Sequence, residues 1–595
     1  MSPLDWAIVV GFLAGSLAIG AASTRLAGRD FGSFFLGGRS MPWWMLGVSM
    51  VATTFSTDTP NLVTDIVRNR GVAGNWTWWA FALTGLTTTF LYARLWRRSG
   101  LATDVEFYEI RYSGRLATFL RGFRAVYLAI VFNVLIMASV TLAAIKIAGV
   151  LVGSAPVTTV AVAAVVTTAY SVLGGLRGVV LADLAQFALS MFGAVAAAVF
   201  VLDLPQVGGL EALLARPEIA ERLAFVPDPE RTSIGEFTAI VLMPLCVQWW
   251  AAYYPGAEPG GGGYVAQRML ATRDERAARA ASLLFNFLHY AVRPWPWVIV
   301  ALASLAVFPD LASLRARFGD LPEHVVRDDL AYPAMLSMLP PGLLGLVAAS
   351  LAAAYMSTMS TQVNWGASVL VNDVYRRFVR PDASARQLVW CGRWITAGLM
   401  ATACALALLL ESALQVFGLL LQIGAGTGLL FLLRWFWWRI NAAAELTAMI
   451  VSLALAIAFE TGLAATWPEW ARLLGGVGIT TLAWGLAALL GPATDKAVLR
   501  SFYARIRPDG PGWASIRLEV EGRATGDGSL PRGILSTALA ATAIYGILFA
   551  IGFALRGAWP PALMASGLAM VCAAVVLALL SAPEAESGEI TSGDG

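Results

Sequence analysis

Histidine, cysteine and charge are all scarce in this chain. Two histidines, His289 and His324, in 595 residues are too few for a catalytic zinc centre, which takes three protein ligands. The four cysteines, Cys246, Cys391, Cys404 and Cys572, all sit inside apolar segments without the spacing of a metal knuckle or a disulfide framework, so the redox compartment stays open. Charged residues make up 13% and the net charge is only +3, with the basic side chains scattered over short loops. No nucleic-acid partner is indicated, because that would need a concentrated basic face. The glycine run 260–263 is not followed by Gly-Lys-Ser/Thr, so there is no phosphate loop and no ATP-driven step within the chain.

What is abundant is apolar surface. At 58% hydrophobic residues and a mean hydropathy of +0.69, the chain exceeds what soluble domains enclose and reads as an all-α polytopic membrane protein embedded in a lipid bilayer. Runs long enough to span hydrocarbon occur at 5–24, 42–66, 76–96, 125–151, 156–175, 179–203, 235–256 and 280–308. They continue at 341–372, 388–411, 413–434, 438–461, 472–491, 532–555 and 559–581, about fifteen helices in all. The first run has no basic leader and is followed by Arg25 and Arg29, which reads as a retained span with its N-terminus outside. With that orientation most of the Lys and Arg fall in inside segments such as 25–41, 97–124, 257–279 and 492–532, as the positive-inside rule requires. The acidic tail from Glu584 to Asp594 then lies in the cytoplasm, and the membrane is a plasma membrane of the bacterial inner-membrane kind.

Two runs are interrupted. In 42–66 the apolar stretch breaks into STDTPN (56–61), and in 235–256 Pro244 precedes QWW. Broken helices at matching positions of two five-helix units point to an inverted-repeat secondary transporter. The stretch AAYMSTMSTQ (353–362) collects Ser357, Thr358, Ser360 and Thr361 between apolar flanks. In a helix, Ala354, Ser357, Thr358 and Thr361 share one face and Ser360 lies on its edge. Hydroxyls with free backbone carbonyls replace the water around a monovalent cation without a fixed charge, which suits sodium; the carbonyls would come from 52–55, where the helix stops. Such hydroxyls also bond back to their own helix or allow close helix packing.

Asp183, in GGLRGVVLADLAQF, is costly in a span and reads either as ion-linked or as a structural partner of Arg177 or a nearby amide. Asp58 sits in the broken stretch, where it hydrogen-bonds a polyol or amide, pairs with an ammonium, or caps the next half-helix. His289, with Asn286 and Arg293, forms a polar stripe that reads as an interhelical network, a cavity lining or a proton relay. Trp76, Trp78 and Trp79 read as an interfacial belt or as rings that stack on a solute, and Gln248 and Trp249 beside the second interruption are solute candidates.

Together, several elements resemble the sodium:solute symporter family, which includes bacterial proline, sialic-acid and sugar symporters and sodium-glucose transporters. They are FFLGGRSMPWWMLGVSMVATTFST (34–57), TDVEFYEIRYSG (103–114), YSVLGGLRGVVLADLAQ (170–186), GGGGYVAQRMLATRDERAARAA (260–281), AAYMSTMSTQ with VNDVYRRF, and WFWWRINAAA (435–444). The resemblance implies a LeuT-type 5+5 inverted repeat with one helix before it and about four after. The divisions would be an N-terminal helix and cytoplasmic loop over 1–41, halves 42–203 and 235–434 around an outer loop 204–234, two helices in 435–491, a cytoplasmic loop 492–531, two helices in 532–581 and a tail 582–595. Carried over by position, a first Na+ would use the carbonyls of Ala52, Phe55 and Ala354 with the hydroxyls of Ser357 and Thr358. A second would use Asp183, Ser357, Ser360 and Thr361. The solute, a small molecule, would meet Asp58, Thr59, Gln248, Trp249 and Gln422. The implied activity is sodium-coupled symport by alternating access with two Na+ per cycle, and no enzymatic reaction. The alternatives are an intramembrane hydrolase built on Ser357 or Ser360 with His289, and a sensor that has lost transport.

Overall fold

The computed structural model describes residues 1–27, 31–228, 230–251, 260–319, 321, 325–410 and 413–581. Arg29, His324, the tail with Glu584 and Asp594, and the stretch 252–259 ending the second interruption lie outside the described residues. Among those described, the chain is helical, with no strand beyond an isolated bridge between Met41 and Thr272. Ten helices are long and apolar enough to cross a membrane, and Pro156–Ala169, Ile234–Cys246 and Leu420–Leu433 are shorter apolar helices.

Several of the expected spans are segmented. In 235–256 the apolar helix Ile234–Cys246 stops at Val247, φ −132°, before the short turn Gln248–Trp250. The 42–66 run is a helix Trp43–Thr54, a break, and a second helix Asp58–Arg70; Phe55 leaves the helical region at φ −88°, ψ 80°. Pro60, lacking an N–H, is accommodated in the first turn of the second half. The 76–96 run is divided among Trp76–Trp79, Phe81–Thr87, a π-helical turn Thr88–Tyr92 and Ala93–Ser99. Conversely, 156–202 runs on with only Gly175 at φ +53° between the two expected spans. A residue without Cβ takes that conformation at little cost.

Within the inside segment 257–279, the stretch that resembles the family's Gln-Arg helix is a helix over Gly263–Leu270 with every residue buried, its Gln267 and Arg268 finding polar partners inside the protein. Two differences from the sequence reading have physical causes. Trp76, Trp78 and Trp79 are buried rather than belted at the interface. The Ser529–Leu555 helix covers them, with Tyr545 against Trp76 and its hydroxyl donating to the Trp79 carbonyl at 2.9 Å. Arg177 is exposed and makes no pair with Asp183, whose cationic neighbour is Arg268.

The loop motifs latch onto one another. Asp373, fully buried at the end of the long helix that starts at Leu343, accepts from Arg121 Nε at 2.7 Å and Thr103 Oγ1 at 2.6 Å, while Asn372 donates to Glu106. Arg377 and Arg121 both bind Glu109. Burial pushes the Glu109 carboxyl up, but these two guanidinium groups more than offset it and hold it below its usual value. Nearby, Arg111 donates to the carbonyls of Arg434 and Trp437, and Tyr112 to Glu445 at 2.6 Å. The segment 492–531 packs on this region through Trp513, whose indole N–H donates to the Trp435 carbonyl at 2.7 Å.

The Leu343–Val369 helix is anchored by the first span. Asp5 Oδ1 accepts from the backbone N–H groups of Gly342 and Gly345 at 2.6 and 2.8 Å, satisfying donors that the helix start leaves open. A Cβ at Gly345 would collide with the Asp5 backbone. Gly345→Ala is therefore expected to destabilise by about 1–3 kcal/mol, read as a lowered Tm of the purified protein; an unchanged Tm would show that this contact yields.

Candidate functional site

The break after Thr54 lies against the middle of the Leu343–Val369 helix. Thr358 Oγ1 is 2.7 Å from the Thr53 carbonyl and 3.1 Å from that of Ala354, its own helix four residues back. The Phe55 N–H is 3.0 Å from the Val51 carbonyl and 3.1 Å from that of Ala52. Ala52, Phe55, Ala354 and Thr358 are all buried. The result is a buried group of carbonyls and one hydroxyl where a broken helix meets an intact one.

The neighbouring hydroxyls serve a second cluster. Successive residues of a helix point about 100° apart, so Ser357 turns away from Thr358 and donates to Asp183 Oδ1 at 2.7 Å. Ser49 donates to Asp183 Oδ2 at 2.5 Å. Thr361 Oγ1 accepts from Thr53 Oγ1 at 3.0 Å, linking the two clusters, and from Arg268 Nη2 at 2.8 Å. Arg268 also donates to Ser49 and to Gln267 and stands 3.9 Å from Asp183. Ser360 donates to the Ser357 carbonyl at 3.0 Å. Asp183, Arg268, Ser357, Ser360 and Thr361 are fully buried, so the carboxylate and the guanidinium each owe their tolerance of this place to the other. Arg268 and Ser49 complete this cluster without being singled out in the sequence; the one signal is an arginine inside the mostly apolar octapeptide GYVAQRML.

A cavity opens beside the break. Its wall includes Ser56, Asp58, Thr59, Asn61, Thr358 and Gln362, with Trp78, His289 and Arg293 on another side. Ser56 donates to Asp58 in a close hydrogen bond. At its edge Lys146 pairs with Asp329 at 2.7 Å. Neither amide atom of Asn61 or Gln362 has a hydrogen-bond partner among the described residues, although both side chains are buried. Unpaired buried amide groups cost about 1–3 kcal/mol each, which a polar guest would recover. Gln248, Trp249 and Gln422 are not among the residues lining this cavity. Gln248 donates to the Thr77 carbonyl at 3.0 Å, and the Trp249 carbonyl accepts from Thr84.

His289 belongs to an interhelical network. Its Nδ1 is 2.8 Å from Thr54 Oγ1 and its Nε2 is 3.4 Å from Arg293, which in turn reaches the Val51 carbonyl. Ser357 and Ser360 are committed to Asp183 and to a backbone carbonyl, so neither meets His289, and the nucleophile–base contact of a hydrolase is missing among the described residues.

Residues 34–452 match the profile of the sodium:solute symporter family. The chain belongs to that family. It is thus a sodium-coupled symporter, an integral membrane transporter rather than an enzyme, and sodium is its coupling ion. The symporter is 25% identical over 442 residues to the sodium/glucose cotransporter of Vibrio parahaemolyticus, covering 71% of this chain and 78% of that one. It is 25% identical over 477 residues to the sodium/sialic acid symporter of Proteus mirabilis (strain HI4320), covering 77% and 90%. In fold it is similar to a solved Na+-coupled sialic acid symporter in a substrate-bound outward-open state. That likeness has a TM-score of 0.68 at 21% identity and covers 83% of this symporter and 99% of the solved chain.

Proposed function

We propose that this symporter carries a small polar organic solute together with two sodium ions, on a LeuT-type frame of ten core helices in two inverted five-helix halves, fifteen spans in total. The first ion is held by the carbonyls of Ala52, Phe55 and Ala354 and the hydroxyl of Thr358; Ser357, expected there too, turns its hydroxyl to Asp183 at 2.7 Å and serves the second. The observation carrying this reading is the approach of Thr358 Oγ1 to within 2.7 Å of the Thr53 carbonyl at the helix break, since it ties the intact helix to the one that opens. The second ion takes Asp183 with Ser357, Ser360 and Thr361, and Arg268 stands in for its charge when it is gone. The solute takes the cavity beside Asp58 and Thr59, completing the amides of Asn61 and Gln362; Gln248, Trp249 and Gln422 join it from the second half as the halves rock. The Arg121–Asp373 latch belongs to the cytoplasmic face, with the N-terminus outside, and the membrane is the bacterial inner one.

Stoichiometry has a measurable consequence. Each sodium ion contributes about 2.3 kcal/mol per 100 mV and about 1.4 kcal/mol per tenfold gradient. At 100 mV and a tenfold gradient, a neutral solute is then concentrated on the order of 10⁵-fold by two ions and only about 500-fold by one. A thermal-shift screen of the purified symporter against a solute library, in sodium and then in potassium, is expected to find a solute that raises Tm only in sodium, because a ligand of the folded state at about 100 times its Kd adds about 2.7 kcal/mol. Uptake of that solute into proteoliposomes then measures the accumulation limit. A limit near the lower figure refutes the second ion, and binding without any uptake makes the chain a sensor.

A further inference from the structure

A second cavity of about 340 Å³ shares no lining residue with the first. It is enclosed by the segment 492–531, the first two turns of the Ser529–Leu555 helix and the last turn of Trp559–Ser581. Those two helices run back to back, so the start of one and the end of the other leave the hydrocarbon at the same face. The cavity therefore sits at the membrane edge, with Phe90, Leu579 and Leu580 as an apolar floor.

Its walls are cationic. Arg94, Arg98, Arg279, Arg507, Arg517 and Arg532 line it, as does Arg523. The lining acids are Asp509, Glu521 and Asp527, and all three serve the frame. Asp509 pairs with Arg517 at 3.4 Å and accepts the Leu530 N–H at 2.9 Å; Glu521 pairs with Arg523 at 2.9 Å; Asp527 accepts the Ser529 N–H at 3.0 Å. From outside the lining, Glu275 binds Arg98 through both oxygens at 3.0 Å. Seven lining arginines outnumber the three lining carboxylates, and Arg507 and Arg532 have no side-chain partner among the described residues.

We propose that this cavity is a binding site for a phosphate group at the membrane edge, that of an anionic phospholipid headgroup or of a soluble phosphorylated compound. The guanidinium fork matches the oxygens of a phosphate and gives up its hydration more readily than an ammonium, and every cation lining this cavity is an arginine. Basic pockets between membrane helices recognise lipid headgroups on these terms, and the apolar floor beside a lipid-facing helix pair favours that source.

The test measures Tm of the full-length symporter in detergent micelles doped with phosphatidylglycerol, with zwitterionic phosphatidylcholine or with oleate, and separately with pyrophosphate alone. The expected result is a saturable rise with phosphatidylglycerol and none with phosphatidylcholine or oleate. In the R507N/R532Q double variant half-saturation should weaken on the order of tenfold or more. Both side chains lack partners, and asparagine tolerates the left-handed backbone of Arg507 at φ +49°, so the variant keeps its fold. A pyrophosphate shift removed by the same substitutions assigns the site to soluble phosphates. Equal responses of wild type and variant, or an equal response to oleate, would overturn the proposal. So would lipid binding that emerges only when Glu584, Glu586 and Glu589 are all changed to Gln, since the chain's own acidic tail would then be the occupant.

Discussion

Asp183→Asn is expected to lower the Tm of the symporter sharply and to bring the sodium Hill coefficient down toward one. The carboxylate is fully buried between Ser49, Ser357 and Arg268. Taking its charge away leaves the Arg268 guanidinium without a counter-charge, and breaking a buried ion pair from one side costs about 3–5 kcal/mol. Arg268→Gln makes the opposite defect, an uncompensated carboxylate beside the hydroxyls of Ser49 and Ser357. If that carboxylate receives sodium, the ion repairs the defect, so Arg268→Gln is expected to gain more Tm from sodium over potassium than the wild type does. The double variant D183N/R268Q removes both charges; it should recover most of the stability lost in potassium and show no such sodium increment. Equal Tm of Arg268→Gln in the two salts would remove the second ion from Asp183 and leave the pair a purely structural one.

What the sequence discloses follows from what is local. The break at 55–57 is written in STDTPN, because a proline and a run of small polar residues act within a turn of where they stand. The hydroxyl set of 357–361 is legible for the same reason, since helical spacing alone puts those side chains close together. Their division between two clusters is not legible. It depends on which partner faces each side of the helix, and Ser49, Asp183 and Arg268 lie from 89 to 308 positions away from Ser357 in sequence. Arg268 stands in a stretch that resembles the family's Gln-Arg helix, but nothing local says that its guanidinium turns toward Asp183. The indoles of 76–79 mislead because tryptophan is equally at home at a lipid interface and in a protein interior; the Ser529–Leu555 helix covers them, and nothing within 76–96 announces it. Likewise, TDVEFYEIRYSG and VNDVYRRF are each recognisable as motifs, but the reason for them, Thr103 bonded to Asp373 and Glu106 to Asn372, emerges only when the two segments meet.

The Thr358 hydroxyl gives the second large effect, and one of a different kind. It donates at 2.7 Å to the Thr53 carbonyl, and its oxygen keeps lone pairs that, in the site proposed above, the first sodium ion shares with the carbonyls of Ala52, Phe55 and Ala354. Thr358→Val retains the branched shape and deletes the oxygen. A bond from a charged group to one such oxygen is worth about 1.5–3 kcal/mol, so the sodium half-saturation of uptake should rise roughly tenfold to 150-fold. Because the solute cavity keeps its other walls, maximal uptake at saturating sodium should fall much less, and the Hill coefficient should stay where it is. Thr358→Ser, which restores the hydroxyl, should return half-saturation to within a few-fold of wild type. This separates the two clusters, since loss at Thr358 moves affinity whereas loss at Asp183 moves cooperativity. A Thr358→Val symporter with wild-type sodium dependence would mean that the ion is held elsewhere, and the hydroxyl would then serve only to tie the intact helix to the broken one.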